Sequence, residues 1–196
     1  VVCFVAEMLI SGTGQDISIL TLVQMGAMYA PMVQGPADLY RFVAPMFLHM
    51  DLMHLLFNMV ALYSVGELLE RVLGRGNFLL LYFVAGITGN VVSYAVDMAQ
   101  GGGLSVSAGA STSVFGLFVA VALLCVLVRG NRAVFRDFSK SMLSIIAVNV
   151  IYTLLVPNIS ISGHLGGAIG GAIAMLLLPA ASLRTPRPVR IVVAVL

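Results

Sequence analysis

Hydrophobic residues run along this chain in long blocks separated by short polar punctuation. Apolar blocks fall at 1–10, 46–66, 77–97, 110–128, 140–157 and 163–181, and a further one starts at Arg190. An α-helix needs roughly 20 apolar residues to cross the hydrocarbon core of a bilayer, and all but the first and last blocks approach that length. Each is bounded by charge, Pro or Gly, the residues that end helices. The pattern predicts an all-α, polytopic membrane helical bundle of six transmembrane helices, the first truncated, with the start of a truncated seventh at 190–196. Residues 1–10 carry no initiator Met and no basic flank, so they read as the tail of a first helix rather than a signal peptide. Both ends of the chain read as cut, and residues 1–196 are expected to form a single membrane domain. There is no repeat of fixed period and no inverted pair of Gly/Pro-broken helices, the usual pointer to a secondary transporter.

Composition strengthens the membrane reading. Of 196 residues, 60% are hydrophobic and 9% charged, and the mean hydropathy is +1.07. A soluble domain carries about 25% charged residues, so much of this surface must face lipid. The net charge of +2 is less informative than its distribution. The 66–77 connection holds Arg71 and Arg75, the 129–140 connection holds Arg129, Arg132, Arg136 and Lys140, and the tail holds Arg184, Arg187 and Arg190. The alternate connections, 11–45, 98–109 and 158–162, hold Arg41 alone. Lys/Arg excess marks the cytoplasmic side, so the bias alternates as the span count requires and puts 11–45 outside. That segment is too long and apolar for a plain linker, and its Met, Leu, Tyr and Pro content predicts a structure lying partly in the interface. Cys3 and Cys125 sit in apolar stretches, which argues against a disulfide or metal site. No basic patch, zinc spacing or phosphate loop supports a nucleic-acid, nucleotide, metal or cofactor partner.

Polar groups inside spans are expensive and therefore point to function. Three clusters occur. In H-M-D-L-M-H-L-L-F-N, residues 49–58, His54 and Asn58 are four apart and share a helical face. They can donate hydrogen bonds to one point, or simply bind neighbouring helices together. In S-A-G-A-S-T-S-V-F-G, residues 107–116, Ser111 lies near an external helix start, where backbone N–H groups are unsatisfied and favour a developing oxyanion. Small residues there also suit close helix packing. In S-G-H-L-G-G-A-I-G-G, residues 162–171, His164 shares a face with Gly167 and Gly171, whose spacing admits a close partner helix. A partner bearing Ser111 would bring hydroxyl and imidazole together for general-base chemistry. Asn58, Ser111 and His164 each follow an external connection, so at about 1.5 Å per residue all three fall in the outer half of the bilayer. A nucleophile, a base and oxyanion donors at one depth make the constellation for acyl transfer. The rival readings are a non-cutting binder of membrane segments and a solute transporter using His54, Asn58 and His164 as a polar path.

These residues resemble the rhomboid family of intramembrane serine proteases. That family is marked by H-x-x-x-N on its second helix, G-x-S-G opening its fourth, and a lone His followed by spaced glycines on its sixth. Here these read His54-Leu55-Leu56-Phe57-Asn58, Gly109-Ala110-Ser111-Thr112, and His164 with Gly167 and Gly171. Tyr40-Arg41 stands where the family often has Trp-Arg, and Glu70-Arg71 resembles its Glu-x-Arg-like cytoplasmic loop. Thr112 replaces a Gly, setting a β-branched side chain beside the oxyanion hole, and Phe115 stands where some members stack a Tyr on the catalytic His. Ser113 points about 200° around the helix from Ser111 and reads as packing.

The resemblance implies Ser111 as nucleophile and His164 as general base, with His54, Asn58 and the Ser111 N–H holding the oxyanion. With no buried carboxylate placed to orient His164, this is a dyad. Asp51 and Asp97 read as solvated or capping, and His49 as hydrogen-bonding within the 11–45 loop. The implied partners are membrane lipid and the transmembrane segments of other proteins, cut near their external ends where small or helix-breaking residues loosen the helix. No metal or cofactor is implied. The expected location is a bacterial inner membrane, multi-pass, with the site open to the external side.

Overall fold

The computed structural model describes residues 1–12, 14, 16–102, 105–127, 147–151 and 160–178. The expected connection at 129–140, most of the expected span at 140–157 and the segment beginning at Arg190 lie outside the described residues. Within them the fold is all-α, with two isolated β-bridges and no strand. Its elements are α1 (Val2–Ser11), α2 (Ile19–Met25), three 3-10 turns (Ala30–Met32, Pro36–Phe42, Ala44–Phe47), α3 (Leu52–Leu73), α4 (Arg75–Ala99), α5 (Ser111–Leu127) and α6 (Ile161–Leu177). Residues 147–151 are also helical.

Helix α3 is shifted by nearly two turns against the apolar block that announced it. Pro45 and the 3-10 turn keep the first residues of that block irregular, and Asp51 starts the helix by accepting the His54 N–H at 2.7 Å. At its other end the expected 66–77 connection is helical. Leu and Glu are good helix formers, and the Glu67–Arg71 ion pair spans i to i+4. The break is Gly74 alone, whose φ of 80° suits a residue without a side chain.

Helices α3 and α4 are long and apolar enough to cross a membrane; α1, α5 and α6 are apolar but shorter. Met53, Leu56, Phe57, Val60 and Tyr63 project outward from α3, and Leu165, Ile169 and Ile173 from α6. Such a surface would be an aggregation hazard in water and is ordinary in lipid. The main core lies among α3, α4, α5 and α6, built from Val65, Leu69, Leu81, Leu117, Val121, Leu124 and Met175. A second cluster of Phe4, Ile17, Leu22, Leu48, Leu55 and Ala108 fastens α1, α2 and the irregular chain over one end of α3 and α5.

Glycine decides how closely α4, α5 and α6 approach. A Cβ at Gly167 would strike the Thr112 carbonyl, and one at Gly171 would strike Gly116. On the neighbouring face of α6, a Cβ at Gly166 would stand 2.6 Å from Val92 Cβ and one at Gly170 2.7 Å from Thr88 Cβ. Lipid offers no hydrophobic drive for helix association, so this backbone contact supplies the dispersion energy that holds the three helices. The sequence pattern exposes the Gly167/Gly171 face; the second glycine face, toward α4, emerges only in three dimensions.

Candidate active site

Ser111 is the first residue of α5 and His164 lies in the first turn of α6. The glycine seam brings these two helix starts together, and His164 Nε2 stands 2.7 Å from Ser111 Oγ. Phe115, one turn after Ser111, stacks on the imidazole at 4.2 Å between centroids and 11° between planes. The ring therefore has one face covered and its Nε2 aimed at the hydroxyl. Ser160 caps α6 by accepting the Gly163 N–H at 3.0 Å, and its hydroxyl reaches Ser93 of α4 at 2.8 Å. This fixes the helix start that carries His164.

The third element arrives from α3. Gly109 has φ 139°, and a Cβ there would stand 2.8 Å from His54 Nε2 and 3.3 Å from Ser111 Oγ. Both conformation and space thus require glycine, and they put the His54 ring and the Ser111 hydroxyl on either side of one point. The turn is held by the Gly109 N–H donating to the Pro45 carbonyl at 2.8 Å and by the paired backbone bonds between Met28 and Ser107 at 2.9 Å. Asn58 is buried one turn below His54 and donates its side-chain N–H to the His54 carbonyl at 2.9 Å. A narrow cleft is lined by Met50, His54, Ser107, Ser111, Ser160 and His164 among others, and Asn58 does not line it. A hydroxyl bonded to a buried imidazole, with a second imidazole and a helix N-terminus alongside, can carry nucleophilic chemistry at a carbonyl.

Residues 36–181 match the family model of the Rhomboid domain. The chain belongs to the rhomboid family. Membership makes it an integral membrane protein. The chain is similar to Rhomboid protease GluP of Bacillus subtilis, with 39% identity over 163 residues that make up 82% of this chain and 30% of that protein. It is also similar to Rhomboid-like protease 3 of Toxoplasma gondii, at 34% over 153 residues, 77% of this chain and 56% of that protein. RHOMBOID-like protein 1 of Arabidopsis thaliana matches at 32% over 156 residues, 79% of this chain and 38% of that protein. The chain thus spans between 30% and 56% of the length of these relatives.

Around the Ser111–His164 pair the remaining singled-out residues take distinct places. Arg41 is buried and donates from Nη1 to the Val23 and Ala27 carbonyls at 2.9 and 3.0 Å, closing the end of α2, where a cation also suits the helix dipole. Tyr40 packs under Gly26 and beside the Arg41 guanidinium. Glu70 and Arg71 do not pair with each other. They lie on the exposed last turn of α3, Arg71 with Glu67 and Glu70 with Arg75 at 3.1 Å, remote from the cleft. Asp51 is the α3 cap, and Asp97 is buried rather than solvated, near the end of α4. Ser113 is fully buried against Gly86 of α4, as a packing residue would be.

One expectation changes: His49 is expected to hydrogen-bond within the 11–45 segment, but its backbone N–H donates to Glu7 Oε2 of α1 at 3.2 Å, and its ring stands edge-on to His54. Thr112 lines the cleft with Ser111 and His164. Its Cβ lies 2.8 Å from where a Cβ at Gly89 would be, and its Cγ2 3.2 Å from one at Gly163, so the branch also packs into the seam with α4 and α6. The sequence reading missed Ser160, Ser107 and Glu7. Ser160, a hydroxyl residue three before a glycine-rich helix start, carries a cap signal; Glu7 is visible as the one acidic residue in the 1–10 block.

Proposed function

We propose that this chain is a rhomboid serine endopeptidase that hydrolyses peptide bonds in or near transmembrane segments of other proteins. The observation that carries the reading is the 2.7 Å contact between Ser111 Oγ and His164 Nε2, beside the His54 ring. In the proposed reaction His164 takes the Ser111 proton as Oγ attacks the substrate carbonyl. The oxyanion is held by the Ser111 N–H, which has no intrahelical acceptor at the first helical position, by His54, and by the second N–H of Asn58. His164 then passes its proton to the leaving amine, an acyl-enzyme remains, and water hydrolyses it with His164 again as base. Phe115 keeps the imidazole aimed, Gly109 gives the oxyanion room, and Gly167 and Gly171 hold α6 on α5. Arg41 with Tyr40 and His49 serve the surrounding chain, and Glu70 and Arg71 the cytoplasmic end. No metal or cofactor enters this scheme.

The same reading makes residues 1–196 one membrane domain crossing a bacterial inner membrane six times, with a seventh span beginning at 190–196 and the 11–45 segment resting in the external interface. The distribution of basic residues supports a cleft on the external side, where water for deacylation is available. A helical substrate hides its own carbonyls, so cut segments should contain small or helix-breaking residues near their external ends.

The test is labelling of the purified chain in mild detergent by a fluorophosphonate probe. Wild type should be labelled, and Ser111→Ala and His164→Ala should each lose at least about 10³-fold in rate. Equal labelling of all three overturns the nucleophile assignment, and no labelling of a folded wild type favours a non-cutting binder of membrane segments.

A further inference from the structure

Glu7, on α1, has 0% of its surface exposed. A carboxyl group in an apolar helix is costly to bury, and such residues persist where something is made of them. Its Oε2 accepts the His49 N–H at 3.2 Å. His49 lies between the last 3-10 turn and the Asp51 cap of α3, where regular structure provides no acceptor for that N–H. The His49 ring is 2% exposed and meets the His54 ring edge-on, at 5.3 Å between centroids and 68° between planes. His54 in turn flanks the point shared with Gly109 and Ser111. A continuous set of contacts therefore leads from α1 to the reacting hydroxyl.

We propose that Glu7 is a positioning residue: by accepting the His49 N–H it sets the His49 ring against His54, and so fixes the His54 imidazole beside Ser111. The inference rests on the protease reading above and adds α1 to the machinery. What the contact requires is an acceptor at the right reach, not a charge. Glu7→Gln preserves a carbonyl oxygen at the same distance; Glu7→Asp keeps the carboxylate but withdraws it by one methylene; Glu7→Leu removes the acceptor.

The experiment measures kinact and KI for a fluorophosphonate on the full chain in mild detergent, together with the unfolding temperature. Glu7→Asp and Glu7→Leu should lower kinact about tenfold or more with KI unchanged, as misplaced catalytic groups do. Glu7→Gln should stay within about twofold, since it keeps the hydrogen bond. Adding His49→Ala to Glu7→Asp should lower kinact no further than the worse single change, because Glu7, bonded to the His49 backbone N–H, reaches His54 only through the His49 ring. A fall in unfolding temperature with unchanged kinact would assign Glu7 to anchoring α1 alone and overturn the proposal, as would a Gln variant as impaired as the Asp one. The protease reading is tested separately by wild-type labelling in the same series. A measurement independent of activity uses the chain's 3 histidines: in spectra of ¹⁵N-histidine protein, Glu7→Asp should move the His49 and His54 ring signals and leave that of His164 in place. An unmoved His54 signal sinks the inference whatever the labelling shows.

Discussion

Ser111 and His164 stand on helices whose backbones touch, whereas His54 stands on a helix whose approach is irregular chain tied down by hydrogen bonds. On the first side Gly167, Gly171 and Gly116 let the backbones of α5 and α6 touch. On the second side long polar groups reach backbone carbonyls: Arg41 to Val23 and Ala27, and Asn90 to Phe42 at 2.9 Å. The difference lies in how each side can fail. Backbone contact leaves no room to relax, so an added methyl group displaces a helix. A hydrogen-bonded loop loses its bonds one at a time and can open without moving Ser111 or His164. Ser111 and His164 thus sit on the rigid side, and the chain that leads into His54 sits on the adjustable one.

The largest effect should come from forcing the rigid side apart. A Cβ at Gly167 would fall on the Thr112 carbonyl, and valine adds two methyls beyond it. Gly167→Val should therefore cost about 3 kcal/mol or more, at the upper end of overpacking effects, and abolish fluorophosphonate labelling because His164 moves with α6. Thermal unfolding in detergent and labelling check this together. A variant that labels like wild type would show that α6 can shift without carrying His164 away, and the contrast between the two sides would collapse.

The adjustable side should respond differently. Arg41→Met keeps the apolar stem and removes both hydrogen bonds to the end of α2. Losing these charge-assisted bonds should cost about 2–3 kcal/mol of local stability. Limited proteolysis should then cut between 19 and 29 where wild type resists, while Ser111 labelling survives at more than half the wild-type rate. Loss of labelling in step with cleavage would mean that this chain and the dyad form one cooperative unit.

The same contrast explains which parts could be read from the sequence. Ser111, His164 and His54 announce themselves, since a polar residue in an apolar block is conspicuous and helical spacing fixes its face. The glycine face toward α5 follows from the spacing of Gly167 and Gly171. The start of α3 and the helical 66–73 stretch were misjudged because hydropathy reports lipid contact, while Asp51, Pro45 and Gly74 report where the backbone turns. The spacing of Asn58 from His54 gives their shared face, but spacing cannot reveal that one of the two Asn58 side-chain N–H groups is engaged by the His54 carbonyl. His49 and Glu7 find each other across 42 residues, a pairing that no local pattern encodes.

Thr112 allows the finest test, because it touches the cleft yet sends its branch into the seam. The residue is buried, its Cγ2 against Gly163 and its Cβ against Gly89. Thr112→Ser keeps the hydroxyl and deletes one methyl, a loss of about 1 kcal/mol in a close-packed contact. For a chain of this size that is a fall of about 2–4 °C in unfolding temperature. Because the missing methyl faces α6 at Gly163, kinact for the fluorophosphonate should stay within about twofold of wild type, the small change expected when no reacting group is displaced. A rise in kinact of about fivefold or more, with little change in unfolding temperature, would place the branch in the oxyanion site after all. The close approach of α5 to α6 would then be set by the glycines alone, with no help from the side chain between them.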